Sequence, residues 1–295
     1  MCATLKEIDV YLIAGQSNAA GYSWHDGKFT EFFPNVWYAA ETDNYRDGSY
    51  LGSSHIESFS EFIFGITQGL GTIPDRIGPE YGMAKVFSAH YSKDNPALIF
   101  KSAAGGTALR DTAEGESNLY GNWYPRSLWP AGFTPSNADT TGRQYHLFVE
   151  NFKKAYRILK ENGYLARVRG MVWMQGCSDL SHEEEYAALL PVFIADIRND
   201  LVSITADPTL AEMPFIIGKI ATTEASYNNP VVPPFNAVQQ HAADTIVNVA
   251  TVETADLIIV GPDGKNRGRD PYHFTGEDAV VLGIRFGEAL RRYVK

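Results

Sequence analysis

Five short runs, at residues 10–14, 97–100, 168–174, 215–220 and 246–252, are almost continuously apolar and rich in β-branched residues, and segments of helical period lie between them. Strands covered on both faces read as unbroken hydrophobic runs, and their alternation with helices builds βαβ units around a parallel sheet. The pattern predicts an α/β chain with an open, doubly wound sheet, in which ligands bind beyond the carboxyl ends of the strands. The clearest helix is expected at about 144–162, where Tyr145, Phe148, Val149, Phe152, Tyr156 and Leu159 form one stripe and Gly163 supplies a stop. A second, at about 183–203, carries Tyr186, Leu189, Leu190, Phe193, Ile197 and Leu201 at helical spacing, and Pro191 is expected to kink it or limit its first turn. Further helices are expected at 80–91, 235–244 and 277–293.

Two stretches, about 22–79 and 111–142, have no lasting periodicity and read as long loops over the rim of the sheet, a length usually tied to function. They hold ten Tyr and Trp side chains, among them Tyr22, Trp24, Trp37, Tyr38, Trp123 and Trp129, suited either to stacking on sugar faces or to packing the loops. No internal repeat or low-complexity linker marks a second domain, so one domain over 1–295 is expected. With 35 acidic against 25 basic side chains, a formal charge of -10, the field repels phosphate backbones and anionic lipid. Nucleic acid and membrane surfaces are thereby poor partners, and no run approaches the roughly 20 apolar residues of a bilayer span. Cys2 and Cys177 are too few for a disulfide framework or a multi-cysteine metal site. No basic segment followed by a long apolar one precedes Ile8, so no signal peptide is read; a secreted or periplasmic chain lacking its leader fits as well.

The first run leads into Gly15-Gln16-Ser17-Asn18-Ala19-Ala20-Gly21, which sets Ser17 at the carboxyl end of the first strand, where a nucleophile belongs. A serine there is also a common helix N-cap, and the Gly-x-Ser-x-Gly elbow of α/β-hydrolases is missing. Near the other end, Asp270-Pro271-Tyr272-His273-Phe274 precedes the last helix. A serine hydroxyl needs an imidazole to take its proton and a carboxylate to orient that imidazole, and this one loop offers both. The plainer alternative is a turn-forming Asp beside a solvated His. Gly105-Gly106-Thr107 follows the second strand and Trp173-Met174-Gln175-Gly176-Cys177-Ser178-Asp179 the third, on the same rim. Glycine amides and the Gln175 carboxamide suit an oxyanion hole because they donate without titrating; a plain turn and a satisfied buried amide are the alternatives.

Together Ile13-Ala14-Gly15-Gln16-Ser17-Asn18, Gly105-Gly106-Thr107, Trp173-Met174-Gln175-Gly176 and the 270–274 block, in this order over nearly the whole chain, resemble the sialate O-acetylesterase and carbohydrate esterase family 6 (acetylxylan esterase) group of SGNH hydrolases. The resemblance implies a three-layer α/β/α, flavodoxin-like fold with a parallel sheet of about five strands. It also implies a serine esterase that needs no metal and no cofactor and removes O-acetyl groups from sugars. By position it implies Ser17 as nucleophile, His273 as general base and then acid, and Asp270 as its orienter. The oxyanion hole would be the Ser17 amide, a glycine amide at Gly105 or Gly106, and the Gln175 side chain. One departure is Cys177, where the family commonly has Glu, which puts the weight of orienting His273 on Asp270.

An acidic surface favours a neutral acetylated polysaccharide such as xylan as substrate. The alternatives are a sialate O-acetylesterase, an SGNH lipase or thioesterase with an apolar acyl pocket, and an inactive carbohydrate-binding module. The joint presence of Ser17, Asp270 and His273 speaks against the last.

Overall fold

The computed structural model describes residues 5–40, 43–46, 49–53, 56–112, 120–136, 139–221, 230–257 and 273–294. Its strands are β1 (Lys6–Gly15), β2 (Ser23–Trp24), β3 (Val36–Ala40), β4 (Asp43–Arg46), β5 (Ser49–Ser53), β6 (Arg76–Ile77), β7 (Ala97–Ala103), β8 (Tyr164–Met174), β9 (Phe215–Gly218) and β10 (Val249–Val252). Its α-helices are α1 (Ser17–Ala20), α2 (Pro79–Ser88), α3 (Arg143–Glu161), α4 (Glu183–Thr205), α5 (Val232–Thr245) and α6 (Gly276–Arg291). Each of the five apolar runs became a strand of one sheet, in the order β10-β9-β8-β1-β7-β3, with every pairing parallel. Residues 10–14 of β1 are fully buried, as a central strand covered on both faces requires. On one face α2 packs on α6; on the other α3, α4 and α5 follow one another. This is the three-layer α/β/α arrangement.

The expected five strands are joined by a sixth. β3 pairs with β7 at the edge, inside the stretch read as a loop, and its Val36, Trp37, Tyr38 and Ala39 are buried. Its outer side is closed by a reciprocal pair of backbone hydrogen bonds between Tyr38 and Ile63, both 2.8 Å, which keeps a bare strand edge from solvent. The same stretch holds the antiparallel pairs β2 with β6 and β4 with β5. Its aromatics, and those of the second long stretch, divide accordingly: Trp37, Tyr38 and Trp123 belong to the core, and Trp129 is tied to the Tyr124 carbonyl through Nε1 at 3.0 Å. Stacking on sugar is therefore not the general role of these rings.

α4 runs unbroken from Glu183 to Thr205 with Pro191 inside it, more than two turns from its start. Pro191 thus does not limit the first turn; it removes the one N–H that would reach the Ala187 carbonyl, and both residues line an open groove against α5. Among the described residues no helix is long and apolar enough to cross a membrane.

Without β3 the sheet reads β10-β9-β8-β1-β7, so the chain steps from β1 to one neighbour and later to the other. That reversal opens a crevice at the carboxyl end of β1, where ligands bind in doubly wound sheets. Gly15 ends the strand there and Ser17 begins α1 two residues on.

Candidate active site

The end of β1 is drawn hard against its neighbours. Gly15 has φ +136°, a backbone region that side chains rarely adopt, and a Cβ there would lie 2.2 Å from the Met174 carbonyl oxygen of β8. The next amide, Gln16 N–H, donates to that same carbonyl at 3.0 Å, and the Gly15 carbonyl accepts from Ala104 N–H at 3.2 Å. Gln16 then turns its side chain across the rim: Oε1 accepts from Gly176 N–H at 3.1 Å and Ser178 N–H at 3.3 Å. These bonds fasten the first motif to the second and third before any catalytic side chain is considered.

Ser17 opens α1 and is 7% exposed, a buried residue that still reaches the crevice. The other end of this single turn is held by Lys101 of β7, which is wholly buried. Its three ammonium hydrogens are matched by the Ala20 carbonyl at 2.9 Å, the Leu70 carbonyl at 3.0 Å and Glu80 at 3.1 Å. Burial pushes the Lys101 ammonium down from its usual range, and the Glu80 carboxylate opposes this.

The glycine turn after β7 rests on buried polar groups. Thr107 Oγ1 donates to the Ala104 carbonyl at 2.8 Å and accepts from Trp123 Nε1 at 2.9 Å. Gln175 is fully buried beneath it, and its Nε2 donates to the Thr107 carbonyl at 3.0 Å and to Asp179 Oδ2 at 2.5 Å. Both amide hydrogens are committed, so the expected role of Gln175 as an oxyanion donor is not met in this structure; its carboxamide braces the glycine turn from below. By contrast, no described group takes the amide hydrogens of Ser17, Gly105 or Gly106.

Asp179 was not singled out by sequence, yet it gathers this floor. Fully buried at the end of the 3-10 turn Cys177–Asp179, it accepts from Leu109 N–H at 2.8 Å, Arg110 N–H at 3.2 Å and Gln175. Burial pushes its carboxyl up from the ordinary carboxylate range, against the lowering by those three donors and the Arg110 charge. Cys177, half-buried in the same turn, packs against the core. An Asp179→Ala variant leaves the buried Leu109 and Gln175 donors without that acceptor, each worth about 1–3 kcal/mol, and the part-buried Arg110 N–H with them. It is expected to lose about 3 kcal/mol or more, seen as a lower urea midpoint, together with esterase activity; an unchanged midpoint would contradict this account of the floor.

His273 arrives from the opposite end of the chain. Phe274 N–H donates to Asn18 Oδ1 at 3.4 Å, so the residue after His273 is tied to the residue after Ser17, across 256 positions of sequence. The imidazole itself lies on the ring of Tyr22, with centroids 4.8 Å apart and planes 29° from parallel. Thr275 caps α6 through Asp278 N–H at 3.1 Å, which fixes the start of that helix directly behind His273. Asp270 lies outside the described residues. The Ser17 hydroxyl makes no hydrogen bond to a described residue. Such bonds are often long before substrate binds, and tighten in the complex.

The tether to Asn18 and the Tyr22 ring thus bring the segment of His273 to the rim that holds Ser17 and the glycine turn; a hydroxyl, an imidazole and backbone amides are the kinds of group that acyl transfer requires. The model of a known family, described as carbohydrate esterase, sialic acid-specific acetylesterase, matches residues 7–292. The chain belongs to this family. It is a carboxylic ester hydrolase of the acetylesterase type, acting on O-acetylated carbohydrate. Solved structures share the fold at low identity: NanS at 17% over 99% of each chain with TM-score 0.65, and a protein from Arabidopsis thaliana at 18%, over 96% of this chain and 98% of the other, with TM-score 0.58. A carbohydrate acetylesterase from Xanthomonas citri matches at 16% over 97% of this chain and 56% of its own, with TM-score 0.51. A comparison with curated proteins gave no match.

Proposed function

We propose that this member of the sialic acid-specific acetylesterase family hydrolyses sugar O-acetyl esters through an acetyl-serine intermediate, with Ser17 as nucleophile and His273 as general base and then acid. The observation that carries the reading is the tether from Phe274 N–H to Asn18, which sets His273 beside the turn that begins with Ser17. In the first step Ser17 Oγ attacks the acetyl carbonyl carbon while His273 takes the hydroxyl proton. The oxyanion is received by the Ser17 amide and by Gly105 or Gly106, each such donor being worth about 3 kcal/mol in the transition state. Collapse expels the sugar oxygen, which takes the proton from His273; water, deprotonated in turn by His273, then releases acetate and free Ser17. Asp270, three residues before His273, is proposed as the carboxylate that orients the imidazole.

Two acetylated sugars compete as the substrate. The family description favours an O-acetylated sialic acid. The formal charge of -10 favours a neutral polysaccharide such as acetylated xylan. Acetate release from both, beside a long-chain acyl ester, separates the readings. Turnover of one acetylated sugar well above the other names the substrate. Faster turnover of the long acyl chain would move the protein to the lipase or thioesterase branch of the superfamily, and sugar binding with no acetate release would make it a binding module.

A further inference from the structure

We propose that Tyr22 is the positioning residue of the general base, its ring fixing the plane in which the His273 imidazole meets Ser17. The inference rests on the Ser17 and His273 reading above. Tyr22 follows α1 by two residues, so the turn that presents the nucleophile also presents this ring. The ring contacts three parts of the site. The stack against His273, at 4.8 Å and 29°, covers one face of the imidazole. The hydroxyl reaches the glycine turn, where a Cβ on Gly105 would lie 2.7 Å from it. The guanidinium of Arg76 sits 5.1 Å from the ring centroid, and its Nη1 donates to the Tyr22 carbonyl.

The support behind Tyr22 is rigid, because Trp24 pairs with Arg76 in the β2–β6 ribbon and the same guanidinium lies 4.4 Å from the Trp24 ring. An imidazole rotates easily about its terminal torsion, whereas a general base must hold one ring edge toward the hydroxyl. A flat ring stacked on it restricts that rotation and does not cover the ring edge that carries the nitrogens. Gly105 fits the same reading: any side chain at that position would push the Tyr22 hydroxyl, and with it the stack, away from the crevice.

The test compares Tyr22→Leu with Tyr22→Phe on p-nitrophenyl acetate. Tyr22→Leu removes the stacking ring at similar bulk and is expected to lower kcat about 10- to 100-fold with little change in KM, the scale of a catalytic group misplaced by about 1 Å. Tyr22→Phe restores the ring without the hydroxyl and is expected to recover most of that loss. Wild-type kcat in a folded Tyr22→Leu overturns the proposal, as does a Tyr22→Phe variant that fails to recover. A second measurement needs no stable Leu variant. In the NMR spectrum of the wild-type protein the His273 ring protons, assigned by their loss in His273→Gln, are expected to be shifted upfield by the Tyr22 ring current. Ring protons at the position of an unstacked histidine also overturn it. Ser17→Ala and His273→Gln, run alongside, keep the two levels apart. Full turnover in either means that the Ser17 and His273 reading has failed, whereas their loss with wild-type kcat in Tyr22→Leu means that this inference alone has failed.

Discussion

A Ser17→Ala variant is expected to fold as the wild type does and to lose at least about a thousandfold in kcat on a simple acetyl ester, the scale seen when a nucleophile is removed from such a site. The two halves of this expectation have separate origins. Stability is spared because the hydroxyl bonds to no described residue, so its removal leaves no described partner unsatisfied, and alanine suits the first position of α1. Activity is lost because no acetyl-serine can form. Residual turnover over water would come from the amides of residue 17, Gly105 and Gly106, which the substitution leaves in place. A folded Ser17→Ala protein with wild-type kcat would contradict the assignment of the nucleophile.

Gly15→Ala is expected to have the larger structural effect, although it adds a single methyl group. The residue would have to hold φ +136°, at a cost of about 1–3 kcal/mol for a strained backbone. Its Cβ would also meet the Met174 carbonyl oxygen at 2.2 Å, a conflict with backbone that no rotamer change relieves. Overpacking of that kind adds about 1–3 kcal/mol. The sum is a large part of the 5–15 kcal/mol that holds a typical domain together. The displaced carbonyl is also the acceptor of Gln16 N–H, so the turn carrying Ser17 moves with it. The variant should therefore show both a strongly lowered thermal midpoint and loss of esterase activity in whatever fraction folds. Near-wild-type stability would mean that β1 and β8 do not approach as closely as described.

The parallel sheet was legible because buried strands announce themselves as unbroken apolar runs, and all five such runs lie in it. β3 escaped that reading. Its Val36-Trp37-Tyr38-Ala39 run carries the same signal, but it sits in a long segment whose Gly, Ser and Asn content masks a strand that joins the sheet only through β7. At the site, the positions of Ser17, Gly105 and Gly106 followed from motif and strand end together. The direction of the Gln175 side chain did not. Whether a carboxamide faces a crevice or the floor depends on which acceptors surround it, and here Asp179, four residues on, captures it from a turn whose buried carboxylate nothing in the local sequence identifies. Gln16 is a similar case: a polar residue next to a serine suggests chemistry, yet its oxygen is engaged by Gly176 and Ser178. By sequence Tyr22 is one of ten loop aromatics, and its contact with His273, 251 residues away in sequence, sets it apart.

The most direct test of the central claim is to treat the wild-type protein with a fluorophosphonate, which reacts with serines activated by a neighbouring base, and to map the adduct by peptide mass spectrometry. One stoichiometric adduct is expected, on Ser17, formed in step with loss of esterase activity and abolished in His273→Gln. An adduct on another residue, or complete inactivation with Ser17 unmodified, would contradict it.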